Sequence, residues 1–122
     1  MVTNSGLAII TNLVSVLGGT VPKWIGYGTG VTAPAVTDTA LGTASADARA
    51  VGVPTRVLTT VANDTLQIVG TLTSGSSQAI TECGLFDALT TGNMMARGTF
   101  AALNLILNDT LTITFKIVWS GG

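Results

Sequence analysis

The sequence contains no histidine, a single cysteine and very few charged residues. Without histidine there is no Ser-His-Asp or Cys-His arrangement and none of the common zinc sites. The lone Cys83 excludes a disulfide within the chain and fits synthesis in a reducing compartment. Because Cys83 lies in a strand pattern and has no histidine partner, we interpret it as a buried, unreactive thiol. We therefore expect no enzyme activity, no metal site and no cofactor.

Charged side chains make up 9% of the residues, against roughly 25% in an average soluble domain. The net charge is −1 and the five basic residues are scattered, which argues against a protein that binds nucleic-acid phosphates. A surface with so little charge is poorly protected against association. We therefore expect other subunits to cover much of it, in a symmetric homo-oligomer that is a trimer or a dimer.

The 122 residues are enough for one domain with a single modest core. We divide the chain into an N-terminal helical segment (1–20), a strand and long loop rich in glycine, threonine and alanine (21–50), and an antiparallel β core (51–122). The apolar run at 6–17 lacks the basic region of a signal peptide. It is also shorter than the about 20 apolar residues that span a bilayer, so no membrane contact is expected.

The N-terminal segment predicts a helix. Asn4 or Ser5 is suited to cap its first turn, and Gly18 and Gly19 are suited to end it. Further apolar residues lie beside the main stripe, so we expect the helix to lie between its own sheet and a neighbouring subunit. The main stripe, at helical spacing, consists of Leu7, Ile10, Val14 and Leu17.

The segment from Pro22 to Gly30 predicts a short strand with Trp24 and Tyr27. Its three alternate glycines indicate a bend or a close approach of backbone. No lysine or helix follows them in the pattern of a phosphate-binding loop, so we do not predict a nucleotide site. The following loop, 31–50, has no periodicity, and loops of this length are usually functional or lie against a partner.

From residue 51 onward apolar and polar residues alternate, which predicts a series of strands. Because Pro54 has no N–H to donate, it is predicted to lie near a sheet edge or at the start of the strand at 51–61. The strand at 110–120 has the cleanest alternation and is predicted to be central, with Trp119 pointing inward. Together these patterns predict an all-β fold: a small antiparallel β-sandwich, jelly-roll-like, of about six strands with one short N-terminal helix.

A short pattern, NDTLxI, occurs twice, beginning at Asn63 and at Asn108. In both places it stands directly before an alternating strand. Since Asn and Asp favour turns, we interpret each copy as a turn followed by the start of a strand.

Residues 80–100 predict a hairpin whose turn lies at 90–93. Glu82 or Asp87 would lie opposite Arg97, depending on the register of the two strands. A buried carboxylate without a partner is costly. We therefore interpret these three charges, with Phe86, as residues that set strand register and turn geometry rather than as a catalytic site.

Four segments of the chain resemble motifs of small bacteriophage virion proteins, a group of head decoration (cement) proteins and tail fibre or collar domains. Their order and spacing carry the resemblance, which implies a structural protein of the virion without enzyme activity. The four segments are Gly28-Thr29-Gly30, Thr37-Asp38-Thr39-Ala40-Leu41, Glu82-Cys83-Gly84-Leu85-Phe86-Asp87 and Ala96-Arg97-Gly98-Thr99-Phe100.

Within that group, a chain that ends at residue 122 suits a self-contained decoration protein better than a fibre, which continues into a shaft. We therefore expect a protein made in the bacterial cytoplasm that binds the major capsid protein on the outer shell of the virion and stabilises the head. The alternatives are a tail fibre, collar or baseplate component, and a carbohydrate-binding module built on Trp24 and Tyr27.

The residues expected to contact partners lie in the N-terminal segment, in the first strand and in the loop that follows it. They are Leu7, Ile10, Leu13, Trp24, Tyr27, Asp38, Leu41 and Arg49.

Overall fold

The computed structural model of the chain describes residues 1–14 and 20–119. Within these ranges there are one helix and seven strands, one strand more than the sequence predicted. The elements are α1 (Asn4–Val14), β1 (Trp24–Gly28), β2 (Ala50–Val51), β3 (Val53–Val57), β4 (Thr65–Thr73), β5 (Gln78–Phe86), β6 (Met94–Leu105) and β7 (Thr110–Val118).

The strands form two antiparallel sheets with the orders β2-β1-β5-β6 and β3-β4-β7. One buried apolar cluster joins them, with Ile25 and Leu85 from the first sheet and Ile68 and Leu72 from the second. Each such side chain contributes roughly 1.5–3 kcal/mol to stability when it is fully buried. The predicted small all-β sandwich with one short helix is therefore confirmed.

The strand predicted at 51–61 is two strands in different sheets, β2 and β3. The chain changes sheets at Gly52, whose N–H donates to the Lys23 carbonyl at 2.5 Å. A Cβ on Gly52 would lie 2.5 Å from Cγ2 of the buried Ile68, so the corner has no room for a side chain. Val53, beyond the corner, is exposed. As predicted, Pro54 lies in an edge strand.

The prediction that the last strand is central is wrong. Among the described strands β7 pairs with β4, which itself lies between β7 and β3, so β7 is at an edge. Trp119 follows β7 and is 46% exposed rather than inward. Alternation reports which face of a strand is covered, but it does not report how many strands flank it.

Helix α1 packs on β6 through Gly6, where a Cβ would collide with the backbone of Met95. This contact turns Ile9 into the core and leaves Leu7 exposed, because residues three apart share a helix face. The N-cap is Thr3, not Asn4 or Ser5: its Oγ1 accepts the Gly6 N–H at 3.0 Å. The predicted helix end at 18–19 lies outside the described residues.

The repeated NDTLxI pattern is a repeated turn, as predicted. Asn63 and Asn108 both adopt left-handed backbone, with φ of 64° and 69°. In each copy the following aspartate accepts the N–H of the residue three positions before it, at 3.0 Å for Asp64 and 2.9 Å for Asp109. Asp64 also accepts two further backbone amides, and these bonds hold its pKa well below the usual range.

The outer face of the four-stranded sheet is covered by the loop between β1 and β2, residues 29–49. The glycines of β1 allow this contact. A Cβ on Gly28 would collide with the Thr43 carbonyl, and one on Gly26 would lie 3.3 Å from the Arg49 side chain. Gly28 and Gly30 therefore mark a close approach of backbone, one of the two interpretations that the sequence allowed, whereas Gly26 makes room for the Arg49 side chain.

We expect Gly28→Ala to lower the free energy of unfolding by about 1–3 kcal/mol, because a backbone carbonyl has little room to move away from the new methyl group. Gly98→Ala is the matched control, since its Cβ would lie 4.0 Å from the nearest atom, Sγ of Cys83. That control should stay within about 0.5 kcal/mol of the wild type or be slightly more stable. Urea denaturation measures both, and equal losses would contradict the close approach at Gly28.

Candidate functional site

Two oppositely charged side chains, Glu82 and Arg97, form a buried pair on the outer face of the four-stranded sheet. The Glu82 side chain is 0% exposed and that of Arg97 2% exposed, and Nη2 of Arg97 lies 2.8 Å from Oε2 of Glu82. In the β5–β6 register Arg97 is opposite Gly84, so the two charges are diagonal neighbours. Of the two partners that the sequence allowed for Arg97, the structure has Glu82.

Glu82 also binds the loop that lies over it. Its Oε1 accepts the N–H of Gly30 at 3.0 Å and of Thr43 at 2.8 Å, and its Oε2 accepts the N–H of Gly42 at 2.9 Å. Burial by itself would raise the pKa of Glu82, but these amides and Arg97 outweigh it and lower the pKa. The carboxylate is therefore charged at neutral pH and fixes the loop at Gly30 and at Gly42 and Thr43.

Arg97 binds the middle of the same loop and the N-terminus of the chain. Its Nη1 donates to Asp38 at 3.1 Å and its Nη2 donates to the Thr32 carbonyl at 2.9 Å. Its backbone exchanges two hydrogen bonds with Met1, at 2.9 and 3.1 Å. Asp38, a predicted partner contact, is instead bonded inside the chain. The lowered pKa of Asp38 follows from the Ala35 N–H and from Arg97.

These bonds place the two predicted contact segments side by side. The Asn4 N–H, at the start of the helix, donates to the Val36 carbonyl at 2.9 Å. Close in sequence to these bonded residues are four exposed apolar residues, the most exposed of which is Val31 at 81%. We call this group the N-terminal surface; it consists of Met1, Leu7, Val31 and Val36.

A second polar cluster surrounds Asp47. Its Oδ2 accepts the Tyr27 hydroxyl at 2.6 Å and Nε2 of Gln78 at 2.7 Å, and the Gly75 N–H donates to Oδ1 at 3.1 Å. Burial, and secondly Asp47, raise the pKa of Tyr27 to about 12. Tyr27 is 2% exposed, so its side chain is not available to a partner or a sugar at the surface. The expected contact at Tyr27 is thus replaced by an internal role, while Trp24 is half-buried.

A cleft of about 350 Å³ opens between the loop and the β5–β6 turn, with Leu41 and Arg49 in its wall. The Arg49 guanidinium stacks on Phe86, 3.4 Å from the ring centroid. It also donates to the carbonyls of Ala88 and Thr91, each at 2.8 Å. Arg49 therefore holds the turn against the loop, and its charge is engaged inside the chain.

Asp87 shapes the hairpin turn, as the sequence predicted. Its Oδ1 accepts the Asn93 N–H at 2.7 Å and its Oδ2 accepts the Asn93 side chain at 3.1 Å. Thr91 and Gly92 both have positive φ, 50° and 69°. A Cβ on Gly92 would lie 2.5 Å from Oδ1 of Asp87, so the bonded turn requires glycine there.

All six Asp and Glu side chains accept hydrogen bonds from the chain itself. In the described ranges no three His, Cys, Asp or Glu residues are grouped to hold a metal ion. Cys83 is buried, and burial raises its pKa to about 11, so the thiol is protonated at neutral pH. The engaged carboxylates are Asp38, Asp47, Asp64, Glu82, Asp87 and Asp109.

Of the predicted helix contacts, Leu7 and Leu13 are exposed, whereas Ile10 is half-buried against the core. Val31 and Val36 were not among the contact residues predicted from the sequence, although each is an isolated large apolar residue in a loop of small and hydroxylated ones. This isolation in the sequence is the feature from which their exposure could have been predicted. In such a loop an apolar side chain has no regular strand or helix to place it inside.

Comparison of the chain with protein-family models, with curated proteins and with solved structures finds no match. No helix of residues 1–14 and 20–119 is long and apolar enough to cross a membrane. The site is therefore interpreted from its own contacts: charges that hold a loop, and apolar side chains that the loop presents.

We expect Glu82→Gln to lower the free energy of unfolding at pH 7 by about 3 kcal/mol or more, because Arg97 would lose its buried partner. Since the folded-state pKa of Glu82 is lowered, its contribution is complete above the usual carboxylate pKa of about 4.3 and is lost as the pH falls further. The variant should therefore lose less stability than the wild type between pH 5 and pH 2.

Denaturation at a series of pH values measures this difference. The matched control is Asp87→Asn, the same carboxylate-to-amide change in the surface turn, which should cost about 1 kcal/mol or less. A Glu82→Gln protein as stable as the wild type at pH 7 would contradict the role assigned to the pair.

Proposed function

We propose that the chain is a bacteriophage capsid decoration (cement) protein that binds the major capsid protein on the outer shell and stabilises the head. One observation carries the proposal: the four motifs of the resemblance meet in one hydrogen-bonded cluster. Gly30 donates to Glu82, Glu82 pairs with Arg97, and Arg97 binds Asp38. Each of these residues belongs to a different motif, so the resemblance is concentrated on a cluster that builds a surface.

The composition of the exposed surface supports a binding role. Among the described residues, sixteen large apolar side chains are exposed, on a chain in which 9% of the residues are charged. Groups of exposed apolar residues mark interaction sites. A protein that binds the assembled shell, but not its separated subunits, stabilises the shell by mass action. The proposed mechanism is therefore passive binding, without catalysis or a cofactor.

The N-terminal surface is the part of the chain best suited to contact the shell. Arg97 and Glu82 hold its loop in one conformation before any partner arrives. A loop that is already ordered loses less conformational entropy on binding, which favours affinity. The proposed location follows: synthesis in the host cytoplasm and then the outer surface of the head.

The two alternative functions, a carbohydrate-binding module and a tail component, differ in how well the surface supports them. A sugar-binding platform on Trp24 and Tyr27 has no support, since Tyr27 is buried under Asp47. A tail fibre, collar or baseplate role would use the same kind of apolar surface, so the position of the protein in the particle distinguishes it from decoration.

Electron cryomicroscopy of purified virions that carry this chain tests the position. Decoration predicts repeated density over the whole head, at one kind of lattice position and in many copies. Density confined to the tail would contradict decoration and favour the alternative.

Binding to the shell tests the surface. Purified protein is added to heads assembled without it, and bound protein is measured by co-sedimentation. We expect Val36→Glu, which puts a charge on the N-terminal surface, to weaken binding at least about tenfold, equivalent to about 1.4 kcal/mol. Val61→Glu is the matched control, because Val61 is also exposed but lies in the β3–β4 turn. Equal binding by both variants would contradict the assignment of the surface.

A further inference from the structure

Within the described residues, strand β7 forms an open edge of the three-stranded sheet. The Trp119 N–H donates to the Asp64 carbonyl at 2.8 Å, and the Ser74 N–H donates to the Asp109 carbonyl at 2.7 Å. Bonded positions alternate along an antiparallel pair, so the odd-numbered residues of β7 bond to β4. The outward N–H and C=O groups therefore belong to Thr110, Thr112, Thr114, Lys116 and Val118.

The other edges in the described part of the sandwich carry features that hinder pairing. Edge strand β3 contains Pro54, which has no N–H, and Arg56. The first half of β6 is lined by Met1–Thr3, and the register of its second half is irregular. Strand β2 has two residues. Proteins commonly protect edges in these ways. In contrast, β7 has nine residues, no proline and one charge, Lys116.

We propose that β7 is a homodimer interface, in which two copies pair antiparallel about a two-fold axis at Thr114. In this register Thr112 faces Lys116 of the second copy and Thr110 faces Val118, so every outward N–H and C=O of β7 gains a partner. No two lysines stand opposite each other. The two three-stranded sheets become one continuous sheet of six strands.

The side chains of β7 fit a second copy of the same strand. On the core side Ile113 meets Phe115 of the second copy, and Leu111 meets Ile117. In the single chain Leu111, Ile113 and Phe115 pack against the core but are only half-buried. The core is therefore incompletely covered along this edge. Pairing joins the apolar cores of the two copies. The exposed face of β7, which carries Thr110, Thr112 and Thr114, stays on the outside.

The register also covers exposed apolar residues at both ends of β7. Trp119 falls opposite Asp109 of the second copy, next to Ile106 and Leu107 in its β6–β7 turn. All three apolar side chains are exposed in the single chain, by 46%, 62% and 61%. A nine-residue strand is about 30 Å long, and its edge alone buries less than the about 1,200 Å² of a typical stable interface. The two end clusters enlarge the buried area towards that size.

The inference specifies the homo-oligomer of the proposed function, but it rests on the strand edge and not on capsid binding. A dimer that fails to bind heads would overturn the proposed function and leave the inference standing. Head binding by a strictly monomeric chain would overturn the inference and leave the proposed function standing.

Light scattering after size-exclusion chromatography tests the interface. We expect the wild type to be a dimer and Thr114→Lys to raise its dissociation constant at least about tenfold, because like charges opposite each other on paired strands are unfavourable. Thr114 is exposed, so the monomer should keep its fold. Thr55→Lys, the same change on the β3 edge, should leave the dimer intact. A monomeric wild type, a trimer, or a dimer insensitive to Thr114→Lys would overturn the proposal.

A cross-link tests the register without adding charge. At a bonded antiparallel pair the two Cα atoms are about 5.5 Å apart, a spacing that a disulfide spans. Oxidised Thr114→Cys should therefore form a covalent dimer, while the buried Cys83 does not interfere. Thr112→Cys would face Lys116 of the second copy and should not cross-link. No cross-link with Thr114→Cys, or equal cross-linking of both variants, would overturn the register.

Discussion

The organisation of this small sandwich depends on one buried ion pair, Glu82 with Arg97. Removing two charges from water costs several kcal/mol per ion, so such a pair is favourable only when its remaining donors and acceptors are also satisfied. Here backbone amides satisfy the carboxylate, and a second carboxylate and a carbonyl satisfy the guanidinium. All five of these partners come from a loop without regular structure, so the loop and the ion pair require each other.

This mutual requirement explains the distribution of glycine in the chain. The loop must approach β1 closely enough for its amides to reach Glu82, and a side chain at Gly28 or Gly30 would prevent that approach. The same reasoning applies to Gly84, where a Cβ would lie 3.0 Å from Leu41. Of the three alternate glycines of this segment, Gly28 and Gly30 thus allow contact between two layers of backbone.

Much of the fold followed from the sequence because alternation and turn chemistry are local. The strands at 65–73 and 110–118, the hairpin turn and the choice of Glu82 or Asp87 as partner of Arg97 were readable from spacing and from the cost of burying a charge. Three features were not. The sheet change at Gly52, the edge position of β7 and the rotation of α1 about Gly6 depend on which backbones approach in space. A pattern of side-chain polarity does not record those approaches.

Only some of the candidate contact residues are exposed, because exposure also depends on which segments approach each other in space. Leu7 and Leu13 are exposed as expected, since a helix on a sheet always leaves one side uncovered. Tyr27 and Asp38 have internal partners instead. Both can form hydrogen bonds, and a polar group close to the core is favoured to find a partner there. Among the large apolar residues of the loop, Val31 and Val36 are exposed, whereas Leu41 is half-buried beside Gly84.

The account requires that the amides of Gly30, Gly42 and Thr43 are fixed by Glu82. Amide hydrogen exchange followed by NMR tests this most directly, with wild type and Glu82→Gln compared. The account predicts that these three amides are strongly protected in the wild type and lose most of that protection in the variant, while the amides of β4 remain protected. Rapid exchange of the three amides in the wild-type protein would contradict it.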